Sequence, residues 1–176
     1  MHSGAVSIRD RAPTWQERLA DEFIEAGVEV AAWVPDKRLA PIANRLAERR
    51  IPLRTLTRED ECFGYAAGHR AAGGTPLVMI QCSGLGNSLN AIGSLVIPYG
   101  LGFPVVISMR GTLGERNPSQ MPLGQATVAM LEALGVQSFS LTSPEAVAPM
   151  VKGALAVADG ARVLAPILLD AELELT

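Results

Sequence analysis

The sequence predicts a doubly wound α/β fold, in which a mostly parallel sheet of about six strands carries helices on both faces. Short apolar runs alternate along the chain with segments of helical periodicity, and glycine and proline punctuate the joins between them. The chain has 176 residues, 48% of them apolar, which is enough for one domain with a sizeable core. We assign residues 15–176 to this domain and residues 1–14 to an N-terminal arm.

The first third of the chain predicts two helices and two strands. Residues 15–26 carry apolar side chains at helical spacing, and Gly27 ends this helix. A strand rich in valine and alanine follows at 28–34. Residues 39–50 again place apolar side chains on one helical face, and 52–56 form a short second strand.

A helix of small residues is predicted over residues 61–72. Gly64 and Gly68 lie on one face of it, although glycine weakens a helix by about 1 kcal/mol relative to alanine. We therefore expect something to pack closely against that face. The next strand, residues 77–81, ends at a glycine-rich segment, residues 83–87, which is typical of a turn.

The rest of the chain continues the alternation of strands and helices. Its most apolar run, PVVIS at 104–108, predicts a buried strand. Ser143 followed by Pro144 is a strong helix start, with the serine as cap. The predicted elements in order are helix 88–97, strand 104–108, polar loop 110–122, helix 125–134, strand 137–141, helix 144–158 and strand 166–169.

Composition argues against several classes of function. A net charge of -3 and 5% aromatic residues do not suit a nucleic-acid partner. Membrane insertion is not expected either, because no apolar run reaches the roughly 18 residues that span a bilayer. Cys62 and Cys82 lack the spacing of a metal or redox pair, so we expect a reducing, cytoplasmic environment. No metal-ligand spacing is present, and we interpret His69 as structural, with no visible partner.

Ligands in doubly wound sheets bind at the carboxyl ends of strands, so the loops there are the first candidates for a site. The segment Ser83-Gly84-Leu85-Gly86-Asn87 lies between a strand and a helix, where backbone N–H groups can cradle an anion. It does not match the dinucleotide-binding pattern, because Leu89 stands where the third glycine belongs. The alternative interpretation is a plain strand-to-helix connection.

Several charged residues occupy the same predicted edge. Glu59 lies just before the small-residue helix, where a carboxylate either caps the helix and its dipole or performs chemistry. Lys37, Arg110 and Arg116 lie on strand-end loops and suit an anionic small molecule, or are solvated surface charges. Gln81, the last residue of its strand, completes the candidate substrate-binding set with Lys37 and Arg110.

Three segments together resemble one family. They are Glu59 with AAG at 66–68, MIQCSGLGNSLNAI at 79–92 and VVISMRG at 105–111. They are similar to the pyrimidine-binding domain of thiamine diphosphate-dependent 2-oxoacid decarboxylases. The nearest branch contains sulfopyruvate decarboxylase alpha subunits and phosphonopyruvate decarboxylases. The resemblance covers roughly residues 15–170.

This resemblance implies roles for matched residues. Glu59 would hydrogen-bond the N1′ nitrogen of the cofactor's aminopyrimidine ring and favour its imino form. Ser83, Gly84, Leu85, Gly86 and Asn87 would line the cofactor or the substrate entrance. Lys37, Gln81 and Arg110 would meet a small anionic 2-oxoacid.

The family also holds Mg²⁺ and the diphosphate through a Gly-Asp-Gly segment followed by Asn-Asn, and this sequence contains no Gly-Asp-Gly. The resemblance thus implies a separate beta subunit that carries the diphosphate-binding domain, with the Gly64 and Gly68 helix as a candidate part of the interface. The expected reaction converts 3-sulfopyruvate to sulfoacetaldehyde and CO₂. The alternatives are 3-phosphonopyruvate as substrate, or a non-catalytic binding module that reuses the fold.

Overall fold

The computed structural model describes residues 11–170 and Leu173. Its sheet has six strands in the order β2-β1-β3-β4-β6-β5, every neighbouring pair is parallel, and the predicted fold class is confirmed. The predicted arm falls outside the described residues over 1–10. The strands are β1 (Val30–Trp33), β2 (Leu53–Thr55), β3 (Pro76–Gln81), β4 (Pro104–Ser108), β5 (Phe139–Leu141) and β6 (Ala165–Leu169).

Helices cover the sheet on both faces. The α-helices are α1 (Trp15–Glu25), α2 (Ala40–Glu48), α3 (Glu59–Ala71), α4 (Leu85–Ala91), α5 (Met121–Ala133) and α6 (Val147–Gly160). Helices α1, α2 and α6 share one apolar core, which includes Phe23 and Leu46. Helices α3, α4 and α5 share the other, in which Phe63 lies 6.2 Å from Phe103 between ring centroids. The four inner strands, β1, β3, β4 and β6, are almost entirely buried because helices cover both of their faces.

The order in which the chain adds strands to the sheet reverses between β1 and β3. Strand β1 pairs with β2 on one side and with β3 on the other. The connection from β1 to β2 uses α2, which packs in the first core, whereas the connection from β2 to β3 uses α3, in the second core. A crevice for ligands forms at the carboxyl ends of strands where connections diverge in this way.

The segment predicted as a glycine turn is helical. A 3₁₀ turn covers Cys82–Gly84, α4 begins at Leu85, and a π-helical turn follows at Ile92–Val96. The prediction of a turn was wrong because Gly84 has an ordinary right-handed conformation, with φ of -77°. Strand β3 therefore runs into helical backbone with no loop between them.

Other helix boundaries moved for local reasons. Helix α3 begins at Glu59, so this residue belongs to the helix rather than preceding it. Helix α5 begins at Met121, earlier than predicted, because Pro122 falls in its first turn, where proline is tolerated. Ser143 precedes a 3₁₀ turn, but its side chain makes no capping hydrogen bond there.

Two predictions about α3 can be compared with the structure. A methyl group added at Gly64 or Gly68 would meet nothing within 4 Å, so no part of the described chain packs closely on these glycines, and packing by a partner stays a prediction. His69 does have a partner, because Glu29 Oε2 lies 3.1 Å from its Nε2 and also accepts from the Thr75 N–H at 3.0 Å. Within residues 11–170 and Leu173, no helix is long and apolar enough to cross a membrane.

Candidate functional site

Glu59 lies where two strand–helix junctions meet. It is the first residue of α3, after β2, and it is half-buried. Its side chain lies directly over Gly84, so that a methyl group at position 84 would overlap the Glu59 carboxyl carbon. The glycine is required here for space, because its φ is available to any residue. Sequence reasoning singled out both residues, and the structure brings them together.

The alternative role of Glu59, capping of α3, is filled by a different carboxylate. Glu61 accepts hydrogen bonds from the Thr57 hydroxyl at 2.9 Å and from the Thr57 and Arg58 N–H groups at 3.1 Å each. The Thr57 hydroxyl and these backbone donors lower the pKa of Glu61. Asp60 forms an ion pair with Arg58 at 2.8 Å. Among the described residues, none donates a hydrogen bond to the Glu59 carboxylate, which is left available for another group.

The residues around Gly84 are rigid rather than loop-like. The Ser88 hydroxyl donates to the Gly84 carbonyl at 2.9 Å, and the Leu85 N–H donates to the Cys82 carbonyl. The Leu85 side chain is buried in the second core. The Leu85 N–H is therefore engaged within the helical backbone and is not available to bind an anion. Ser83 and Gly86 are half-buried, and Asn87 is exposed.

A chain of hydrogen bonds links β1 to the start of the 3₁₀ turn. Gln81 Nε2 donates to Asp36 Oδ2 at 2.8 Å, and the Ser83 hydroxyl donates to Gln81 Oε1 at 2.7 Å. Asp36 Oδ1 also accepts from the backbone N–H of Arg38 at 2.9 Å. The Ser83 hydroxyl hydrogen is therefore used in the bond to Gln81, and the hydroxyl oxygen can still accept a hydrogen bond from another group.

Arg110 is held by a bidentate ion pair with Glu115. The two N···O distances are both 2.7 Å, and Glu115 also accepts from the Asn117 N–H at 2.9 Å. The Arg110 guanidinium and these backbone bonds lower the pKa of Glu115 to about 2. Arg110, which the sequence predicted to bind an anion, thus already pairs with a carboxylate along one edge of its guanidinium. Asp36 and Cys82, which follow β1 and β3, also lie within electrostatic reach of Arg110.

The remaining cations of this edge differ in their surroundings. Lys37 and Arg116 are exposed. Arg38, which sequence reasoning missed, donates to the carbonyl oxygens of Met109 at 2.8 Å, Leu169 at 3.2 Å and Asp170 at 2.6 Å. It ties the start of α2 to the carboxyl ends of β4 and β6. Its position two residues after Asp36, in a strand-end loop, was the available signal.

Two grooves on the surface of the described chain lie away from Glu59. The larger, about 580 Å³, is lined by residues near the amino ends of β4 and β6, including Tyr99 and Arg162. The smaller, about 330 Å³, is an apolar groove along α6. We place the candidate site at Glu59 instead, because the polar groups converge at the carboxyl edge. In the part of the chain that the structure describes, no three His, Cys, Asp or Glu side chains are grouped to hold a metal ion.

Comparison with known proteins gives a consistent result. Residues 13–116 match the family model described as "Thiamine pyrophosphate enzyme, N-terminal TPP binding domain". The sulfopyruvate decarboxylase subunit alpha of Methanococcus maripaludis is 35% identical over 88% of this chain and 93% of its own length. The phosphonopyruvate decarboxylase of Streptomyces hygroscopicus is 36% identical over 57% of this chain and 26% of its own length.

A solved structure supports the fold. The 2-oxoglutarate:ferredoxin oxidoreductase of Magnetococcus marinus superposes with a TM-score of 0.73, covering 91% of this chain and 29% of the longer one. Its sequence identity is 15%, so this likeness concerns the arrangement of the strands and helices alone.

Proposed function

The chain belongs to the family of thiamine pyrophosphate enzyme N-terminal domains, and from this premise we propose that it is the pyrimidine-binding alpha subunit of a 2-oxoacid decarboxylase. The substrate is 3-sulfopyruvate, which the enzyme converts to sulfoacetaldehyde and CO₂. The similarity to a sulfopyruvate decarboxylase subunit alpha along nearly its whole length supports this substrate. The pyrimidine-binding domain extends over residues 15–176.

The observation that carries the proposal is the position of Glu59 over Gly84. A half-buried carboxylate with no capping duty, at the carboxyl edge of a parallel sheet, is suited to hold a polar ligand atom. Glu59 would hydrogen-bond the ring nitrogen of an aminopyrimidine. Such a charge-assisted bond is roughly twice as strong as a neutral one, and it holds the ring in one protonation state.

The described residues fit the pyrimidine end of thiamine diphosphate. Bound thiamine diphosphate supplies the electron sink that a 2-oxoacid needs to lose CO₂. The chain's own contribution would be to hold the ring. Gly84 leaves the space that the Glu59 side chain occupies, and the buried Leu85 side chain anchors the start of α4 in the core. Gly86 and Asn87 complete the surface beside the ring.

A beta subunit would supply the diphosphate-binding domain and the Mg²⁺ ion. The absence of a Gly-Asp-Gly segment from this sequence supports that division. The word alpha in the name of the Methanococcus relative, which this chain spans almost completely, also supports it. The phosphonopyruvate decarboxylase relative, in contrast, is about four times as long as the region it shares with this chain.

The substrate's second anionic group would lie near Arg110, Lys37 and Gln81. Asp36 links Gln81 and Arg110 in support of this: it hydrogen-bonds Gln81 and lies within electrostatic reach of Arg110. The assembly would be located in the cytoplasm, since the free, buried thiols of Cys62 and Cys82 suit a reducing compartment. The second candidate substrate is 3-phosphonopyruvate, which the similarity to phosphonopyruvate decarboxylases favours.

The proposal is tested by producing the chain together with a subunit that carries Gly-Asp-Gly and a later Asn-Asn. The purified complex, with thiamine diphosphate and Mg²⁺, should release CO₂ from 3-sulfopyruvate, whereas the chain alone should not. Release from neither 3-sulfopyruvate nor 3-phosphonopyruvate would favour a non-catalytic binding module instead. The matched control is the same complex without thiamine diphosphate.

A further inference from the structure

The ion pair between Arg110 and Glu115 is a fixed part of the site. Glu115 is 8% exposed and Arg110 is 30% exposed, and the carboxylate bonds both the Nε and the Nη2 of the guanidinium. The Asn117 and Gly111 N–H groups hold the same carboxylate from the loop. Because four donors converge on it, Glu115 is anchored in the loop rather than lying loosely on the surface.

Two carboxylates act on the Arg110 guanidinium. Glu115 is bound to it by the bidentate pair, and Asp36 lies within electrostatic reach. None of the described residues hydrogen-bonds Arg110 Nη1, so this edge remains for one anionic group.

Sulfonate and phosphonate differ mainly in charge. A sulfonate carries one negative charge, whereas a phosphonate, like a phosphate ester, can lose a second proton and then carries two. A guanidinium already paired with one carboxylate can accept one further charge through its remaining edge. A second charge would lose hydration without gaining a partner, which is unfavourable.

We propose that Glu115 determines the specificity of the site, making it selective for a sulfonate over a phosphonate by neutralising one edge of Arg110. The inference rests on the proposed function, because it requires that Arg110 meets the substrate's second anionic group. Glu115 acts through Arg110 and does not itself contact the substrate.

The wild-type complex provides the first test. Methanesulfonate and methylphosphonate serve as probes, each as a competitive inhibitor of CO₂ release from 3-sulfopyruvate at pH 8. Methanesulfonate should inhibit at the lower concentration. Equal or stronger inhibition by methylphosphonate overturns the inference, and this comparison requires no variant.

Glu115→Gln in the alpha subunit provides the second test. The ratio of kcat/KM for 3-phosphonopyruvate to that for 3-sulfopyruvate should rise by about tenfold, since one nearby charge has been removed in a partly solvated site. Glu132→Gln, at an exposed position of α5, is the matched control and should leave the ratio unchanged. Circular dichroism of each variant checks the fold.

The outcomes separate the two proposals. If the complex releases CO₂ from 3-sulfopyruvate but the ratio for Glu115→Gln stays within about twofold of wild type, the role of Glu115 is wrong and the decarboxylase stands. If neither acid is turned over, the proposed function itself fails. If Glu115→Gln lowers kcat/KM equally for both acids, Glu115 serves only the structure of the loop, and its role in specificity is overturned.

Discussion

Glu59 and Glu61 lie two residues apart at the start of α3, and their surroundings differ. Glu61 is bonded by the backbone and side chain of Thr57, whereas Glu59 faces Gly84. A carboxylate at a helix start was ambiguous from sequence, because capping and ligand binding need the same residue type at the same place. The positions of the neighbouring donors assign the capping role to Glu61.

Glu59→Gln should lower kcat of the assembled enzyme by about 10²- to 10⁴-fold, because the amide cannot exchange a proton with the ring. Its thermal midpoint should stay close to that of wild type, since none of the described residues donates a hydrogen bond to Glu59. Glu61→Gln is the matched control and should lower the midpoint while the folded enzyme keeps its kcat. Near-normal turnover by Glu59→Gln would remove Glu59 from the chemistry.

Gly84→Ala tests the space that Glu59 occupies. The added methyl group would overlap the Glu59 carboxyl group, so the side chain must move and activity should fall by at least about tenfold. In Gly93→Ala the methyl group would lie 3.5 Å from Leu134 Cδ2, an ordinary contact, so this variant should retain activity. Equal kcat values in the two variants would contradict the close approach of Glu59 to Gly84.

At the scale of elements, the sequence predicted strands better than the roles of glycines. Strand β4 was predicted with its observed bounds, because PVVIS is a compact apolar run. The glycines of 83–87 were interpreted as conformational, but Gly84 is needed for space, which depends on a side chain 25 residues earlier in the sequence. Similarly, the pairs His69–Glu29 and Arg38–Leu169 join distant parts of the chain, which local patterns do not reveal.

The open face of α3 leads to a prediction about assembly. Gly68→Ala should stabilise the isolated alpha subunit by about 0.5–1 kcal/mol, because alanine is the better helix former and nothing lies within 4 Å. If the beta subunit packs on this face, the same change should weaken the complex, as measured by sedimentation. Gly153→Ala, also free of neighbours but on α6, should stabilise equally and leave assembly unchanged. Unchanged assembly by Gly68→Ala would exclude close packing there.

At the scale of the whole molecule, acid should destabilise the fold. The Arg110 guanidinium lowers the pKa of Glu115 to about 2, and the backbone N–H of Thr14 and the hydroxyl of Thr57 lower the pKa values of Glu17 and Glu61. A folded-state pKa below the ordinary glutamate value of 4.5 means that the folded state favours the ionised form. The resulting stability is present above pH 4.5 and is lost as pH falls toward 2.

Urea denaturation of the alpha subunit between pH 7 and pH 3 measures this effect. The midpoint should be nearly constant down to about pH 5 and then decrease. The decrease should be shallower for Glu115→Gln, which lacks one of the groups that take up protons on unfolding. A midpoint that rises as pH falls below about 4.5 would contradict the sign of these pKa shifts.

Strand β3 continues directly into helical backbone, and this limits where the protein can tolerate insertions and deletions. Residues 76–91 contain no irregular position, so inserting or deleting one residue there would rotate α4 and move Gly84 away from Glu59. Residues 112–114, between Arg110 and Glu115, are in contrast irregular and exposed, and could absorb a change in length. Descendants of a common ancestor should therefore preserve the chain length of the first segment and vary in that of the second.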